Sequence, residues 1–87
     1  MLFVYGAPKP LSYWMKDTFI ALSIAFMDDT GRVMSIQQMA PNQTTEHYRS
    51  PGPAKYALEV NRGWFAAHGI KVGDRVIFNL GDVTGNR

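Results

Sequence analysis

The sequence predicts a small α+β domain, mainly antiparallel β, with a barrel-like sheet and one or two short helices. Three observations lead there. Leu22, Ile24 and Phe26 are large and apolar while Ala21, Ser23 and Ala25 between them are small, and a period of two belongs to a strand. Asp28-Asp29-Thr30-Gly31 then suits a three-residue hairpin loop, a type I turn closed by a left-handed glycine. Residues 55–61 alternate again, with Tyr56, Leu58 and Val60 facing one way and Ala57, Glu59 and Asn61 the other.

In chain order, residues 2–5 form an apolar run with strand propensity, ended by Gly6, Pro8 and Pro10, and expected at a sheet edge. Residues 11–17 make a connector carrying Trp14, Met15 and Lys16. In the hairpin, Gly31 as bulge glycine opposes Asp28 to Arg32, Phe26 to Met34 and Ile24 to Ile36. All large side chains then fall on one face, and an Asp28–Arg32 charge pair closes the mouth. Gly31 is expected at positive φ, so Gly31→Val should cost about 1–3 kcal/mol. Pro41 blocks a regular helix in residues 37–49, and Asn42-Gln43-Thr44 reads as a loop that also fits a glycosylation acceptor. Asn61 is placed to cap a helix over residues 62–68, with Trp64 and His68 on one side, Phe65 toward the core and Gly69 as the stop. A last strand is expected over residues 75–80, with Val76, Phe78 and Leu80 on one face, before a polar tail.

With 87 residues the chain is read as a single domain, 1–87, whose core is thin. It has no cysteine, which excludes disulfides and thiolate zinc sites. Nine basic and seven acidic residues leave a net charge of +2 without a basic run, a weak basis for holding a phosphate backbone. Tyr13, Trp14 and Trp64 with Lys16 and Arg62 offer stacking surfaces, but no nucleic-acid motif accompanies them, so a nucleic-acid partner is not expected. No apolar run approaches the roughly 20 residues of a membrane span. No secretory leader is visible after Met1.

No metal or other cofactor is expected, because His47 and His68 lie far apart without ligands at helical spacing. His47 is read as solvent-exposed, and His68 as a helix C-terminal residue. Trp14, Lys16, Asp17 and Thr18 combine a flat apolar surface, a cation, an acceptor and a hydroxyl, the mixture that rims a polar small-molecule site. The competing account makes Trp14 a plug at the end of the core and pairs Lys16 with Asp17 or Glu59. Glu59, mid-strand, needs a partner such as Lys16 or Arg62 if its face is covered. With Asn61 it completes the candidate ligand-binding set. Two functional classes follow. The first is non-catalytic binding of a small polar ligand or an envelope partner; the second is hydrolysis using Asp17, Glu59 or Asp74 with Lys16.

The stretches MLFVY, YWMKDTFIALSIAFMDDTGRV and YALEVNRGWFAAHGIKVGD resemble, in order and spacing, the DUF192 family of small uncharacterised bacterial and archaeal proteins. The usual family wording around Trp14 is Phe-Trp-Met-Lys-Asn-Thr, then Leu-Asp-Ile-Ala-Phe. Trp14, Met15, Lys16 and Thr18 match it, Tyr13 and Asp17 replace phenylalanine and asparagine, and Ser23 stands where aspartate is common. Glu59, Asn61, Gly63, Gly69, Gly73 and Asp74 match the second block. The resemblance implies a mostly antiparallel β fold with short helices, often exported or anchored in the cell envelope, and it implies no particular activity. It also implies a further segment before MLFVY, with a strand and an Arg-Gly-Leu-Met-like stretch, so this chain is expected to be a short form or an incomplete copy. Loss of that strand would expose some of Leu2, Val4, Phe26, Met34 or Phe78 and favour self-association through an edge or by strand exchange.

Overall fold

The computed structural model describes residues 1–42 and 47–77, and a four-stranded antiparallel sheet carries the fold. Its strands are β1 (Leu2–Lys9), β3 (Leu22–Met27), β4 (Val33–Met39) and β6 (Ala54–Asn61), in the order β1-β6-β3-β4. A second, two-stranded sheet pairs β2 (Ser12–Tyr13) with β5 (Tyr48–Arg49), and α1 (Trp64–Ala67) is a single turn of helix. The α+β, mainly antiparallel β class is thus as expected. Among the described residues, however, the sheet stays open rather than closing as a barrel, with β1 and β4 at its edges.

The alternation in β3 sets the core, but with two covered faces instead of one. Ile24 and Phe26 pack with Phe3, Leu11, Met15 and Met39 on one side. Ala25 and Met27 pack with Val33 and Phe65 on the other. All of these are buried, so the small residues of the alternation face a second, thinner core and not solvent.

The hairpin mouth forms as expected. The Asp28 N–H donates to the Arg32 carbonyl at 3.0 Å, and Gly31 has φ 82°. Beyond it the register departs from expectation: Met27 opposes Val33, but Phe26 opposes Ser35 and Ile24 opposes Gln37. The irregularity lies between Phe26 and Met27, where Met34 is the extra residue on β4. It sends Met34 to the first core and Ile36 to the second, which the uninterrupted register could not do. The expected charge pair is also replaced. The Asp28 carboxylate accepts the Thr30 N–H at 2.9 Å, the Thr30 hydroxyl at 2.6 Å and the Arg32 N–H at 3.0 Å. The Arg32 guanidinium instead donates to the Gly73 carbonyl at 3.0 Å.

Three other expectations shift for local reasons. β1 continues past Gly6 to Lys9, because an edge strand tolerates Pro8 once the register breaks between Val4 and Lys9. The helix starts later, since Asn61 still pairs with Leu22 as the last residue of β6. Gly63, at φ 87°, makes the turn into α1, and no side-chain cap is formed. Phe65 is buried, and Gly69 ends the turn at φ 69°. Of the expected last strand, Arg75 makes an isolated bridge with Arg32, while Phe78 and Leu80 lie outside the described residues. So do Gln43 and Thr44 of the glycosylation triplet. Of the faces expected to be uncovered, Leu2 and Phe26 are buried and Val4 and Met34 half-buried, and Phe78 is outside the described residues. Among the described residues, the exposed large apolar ones are instead Phe19, Ile20, Val72 and Ile77, with Met1 and Trp14.

Candidate functional site

The connector between β1 and β3 is shaped by two turns of pairing. Antiparallel pairing of Ser12 with Arg49 and Tyr13 with Tyr48 brings residue 47 across from residue 14. The His47 ring accordingly stacks on Trp14, with centroids 5.4 Å apart and planes 16° apart. Its Nδ1 lies 3.1 Å from the Ser12 hydroxyl. Tyr13 turns inward between Phe3 and Phe26, at centroid distances of 5.4 and 5.8 Å, and its hydroxyl shares a hydrogen bond with that of Tyr5. Met15 is fully buried and fixes the next turn, in which Thr18 N–H donates to the Met15 carbonyl at 3.1 Å. Trp14 and Lys16, on either side of Met15, stay exposed.

These residues enclose an open groove of about 370 Å³ lined by Tyr5, Ser12, Tyr13, Trp14 and Lys16. Its surface is two aromatic hydroxyls, an aliphatic hydroxyl, an indole and an ammonium. Lys16 Nζ stands 5.4 Å from the Trp14 ring centre, and Lys9 Nζ stands 4.6 Å from that of Tyr5. Among the described residues, no carboxylate lines the groove.

The remaining candidates lie elsewhere. Asp17 is exposed and holds φ 60°, a left-handed conformation that Asp and Asn adopt more readily than other non-glycine residues. Its place in the turn explains the choice between those two residue types there. Thr18 is half-buried; its carbonyl accepts the Asn42 N–H at 2.8 Å. Glu59 is buried and, with Asn61, Met1, Leu22, Val60 and Trp64, lines a separate cavity of about 430 Å³. Asp74 binds its own loop, accepting the Lys71 N–H at 2.9 Å, a bond that holds its carboxyl below the usual carboxylate range. The six residues singled out from sequence thus divide among a groove (Trp14, Lys16), a turn (Asp17, Thr18) and a second cavity (Glu59, Asn61). Tyr5, Ser12 and Tyr13 join the groove and His47 stacks on its Trp14, none of them in the set expected to bind ligand. Tyr13 adjoins Trp14 in the chain, but the others needed the β2–β5 pairing to be known. Among the described residues no three of His, Asp and Glu gather into a metal-binding group, and no helix is long and apolar enough to cross a membrane.

The model of DUF192, a family described as an uncharacterized ACR, matches residues 1–78. The chain belongs to the DUF192 family. Two crystal structures share this DUF192 fold. A "putative transcription regulator" from Sinorhizobium meliloti 1021 is 33% identical, with a TM-score of 0.79 over 86% of this chain and 58% of that one. A protein of unknown function from Novosphingobium aromaticivorans DSM 12444 is 37% identical, with a TM-score of 0.82 over 90% of this chain and 56% of that one. This DUF192 chain therefore spans under two thirds of each of those chains. No curated protein matches it.

Proposed function

We propose that this DUF192 chain is a non-catalytic binding module whose groove at Trp14 and Lys16 takes a small polar ligand bearing negative charge. The observation that carries the reading is the composition of the groove: an exposed indole with an ammonium over it, hydroxyls beside it, and no carboxylate among the described residues of its wall. An indole face supplies apolar contact area, and an ammonium with neighbouring hydroxyls supplies donors for an anion. The hydrolytic alternative needs a carboxylate within hydrogen-bond reach of a second catalytic group in one pocket. Asp17 sits in a turn, Glu59 in another cavity and Asp74 in its own loop, which favours binding over hydrolysis. A regulatory role belongs to the Sinorhizobium protein's description and adds no residue to this groove.

The test uses Trp64→Phe protein, in which Trp14 is the sole fluorescent indole, titrated with dicarboxylates, sugar phosphates and the matching neutral sugars. Saturable quenching by the anionic compounds, weakened tenfold or more in Lys16→Ala, is expected. A folded Lys16→Ala protein with unchanged affinity, or quenching that ignores ligand charge, refutes the assignment.

Self-association is a separate proposal, for which the β4 edge beyond its bulge, from Ser35 to Met39, is the favoured surface, because β1 is broken in register and carries Pro8. Sedimentation over a tenfold concentration range tests it; a single species of monomer mass throughout rules it out.

A further inference from the structure

The second face of the sheet carries a recess distinct from the Trp14 groove. It measures about 280 Å³ and lies among Ser23, Ile36, Gln38, Phe65, Ile70 and Val72, with Gly63, Ala66 and Lys71 completing its wall. The small members of the β3 alternation account for it. Ser23 faces the same side as Ala25 and Met27, so the floor is low where Phe65 and Ile70 form the roof. Gly63 and Ala66 add no bulk from the helix side. The recess opens to the surface beside Ala66, Lys71 and Val72, so a ligand can reach it. An enclosed apolar cavity of about 150 Å³ is enough to hold benzene.

The chemistry of the wall selects the occupant. Most of it is apolar, from Ile36, Phe65, Ile70 and Val72. One polar pair lies in the floor, where the buried Ser23 hydroxyl donates to Gln38 Oε1 at 2.8 Å. That bond uses the amide oxygen of Gln38 and leaves its NH₂ group as a donor. At the rim stands Lys71, its side chain 80% exposed. Its contact with Asp74, 3.4 Å long at the surface, is of the weak class and occupies one of three ammonium donors. We propose that this recess binds the anion of a medium-chain fatty acid, with the aliphatic chain against Phe65, Ile36 and Ile70 and the carboxylate at Lys71. The positive rim and apolar interior are complementary to that molecule at its two ends. Asp74 is the opposing charge at the rim, and removing it should strengthen binding.

The experiment is an amide and methyl NMR titration of the whole chain with octanoate, and with octanol as the uncharged match. Saturable shifts at Ile36, Ile70 and Val72 are expected with octanoate. Octanol should bind at the same residues about tenfold more weakly. Lys71→Ala should equalise the two probes, and Asp74→Asn should tighten octanoate while leaving octanol unchanged. Ala66→Leu, a substitution at an exposed helix position, should fill the recess and abolish both titrations in a protein whose remaining spectrum is native. Shifts that map to other residues, that do not saturate, or that survive Ala66→Leu overturn the proposal. Equal affinity for acid and alcohol in the unmodified chain overturns it too. Concentration-dependent shifts at the recess without any probe would make a second copy the occupant and also refute it.

Discussion

Replacing Gly31 by alanine separates two costs that usually come together. At φ 82° a side chain is strained whatever the surrounding space, and leaving the ordinary regions of backbone space costs about 1–2 kcal/mol. Here a Cβ would in addition overlap the backbone carbonyl oxygen of Val76, well inside van der Waals contact. The Val76 segment is held against the hairpin by its own N–H, which donates to the Gly31 carbonyl at 2.8 Å. To relieve the overlap that segment must move and weaken the bond, a loss of about 0.5–1.5 kcal/mol, with further loss of local packing. Gly31→Ala should therefore cost roughly 2–4 kcal/mol in all. Gly69 supplies the control. Its φ is 69°, but an added Cβ meets nothing within 4 Å, so Gly69→Ala carries the backbone term alone, about 1–2 kcal/mol. Both substitutions stiffen the unfolded chain equally, so that contribution drops out of the difference. Urea unfolding of the three proteins, with equal slopes, gives the two values directly. A gap below about 0.5 kcal/mol, the usual scatter of surface substitutions, would mean that the Val76 contact carries no energy and that the close approach is misread.

The Asp28 carboxyl, drawn below its ordinary range first by the Thr30 hydroxyl and then by the backbone N–H groups of the turn, stabilises the fold fully above its unfolded pKa near 4. That contribution is lost as the pH falls through the lower folded value. Asp28→Asn should flatten the acid limb of a stability–pH curve, and an unchanged limb would show that the turn does not favour the charged form. At Asp17, glycine or asparagine should be tolerated while valine costs about 1–3 kcal/mol in thermal melts, since φ 60° suits only the first two. Phe3→Ala should cost about 3–5 kcal/mol by urea unfolding, because the side chain is fully buried. Phe19→Ala, at a position 78% exposed, should stay within about 0.5 kcal/mol, and a larger loss would reveal a packing partner for that ring.

What could be read from the chain was whatever short-range periodicity and turn chemistry encode. The β3 alternation, the Asp28–Gly31 turn, the β6 strand and the Gly69 stop all depend on neighbours within a few residues, and each stands in the structure. Register beyond the turn did not follow, because the bulge at Met34 serves two cores whose existence only the arrangement of β6 and α1 defines. The helix start failed for a related reason: Asn61 has good capping chemistry, but its pairing with Leu22 keeps it in the sheet. Within the candidate site, the indole and the ammonium were legible as an unusual pair of neighbours. Their partners were not, since Tyr5 reaches the groove and His47 reaches Trp14 through strand pairings that no local pattern announces. Glu59 and Asn61 point the other way: their residue types suggested the same site, and the sheet placed them in another cavity.

The strand order has a consequence for synthesis on the ribosome. Among the described residues, β6 is the strand that joins β1 to β3, so these two come together in the sheet once β6 has emerged. The hairpin of β3 and β4 closes early on its local turn. It then stays without its β6 neighbour while the chain from Met39 to Asn61 is made, roughly one to four seconds at ordinary elongation rates. During that interval the Ala25 and Met27 face, whose cover includes the later Phe65, is presented to whatever binds exposed apolar chain at the exit tunnel. Rare codons between β4 and β6 would lengthen the exposure, and the soluble yield of such recoded genes would measure what the wait costs.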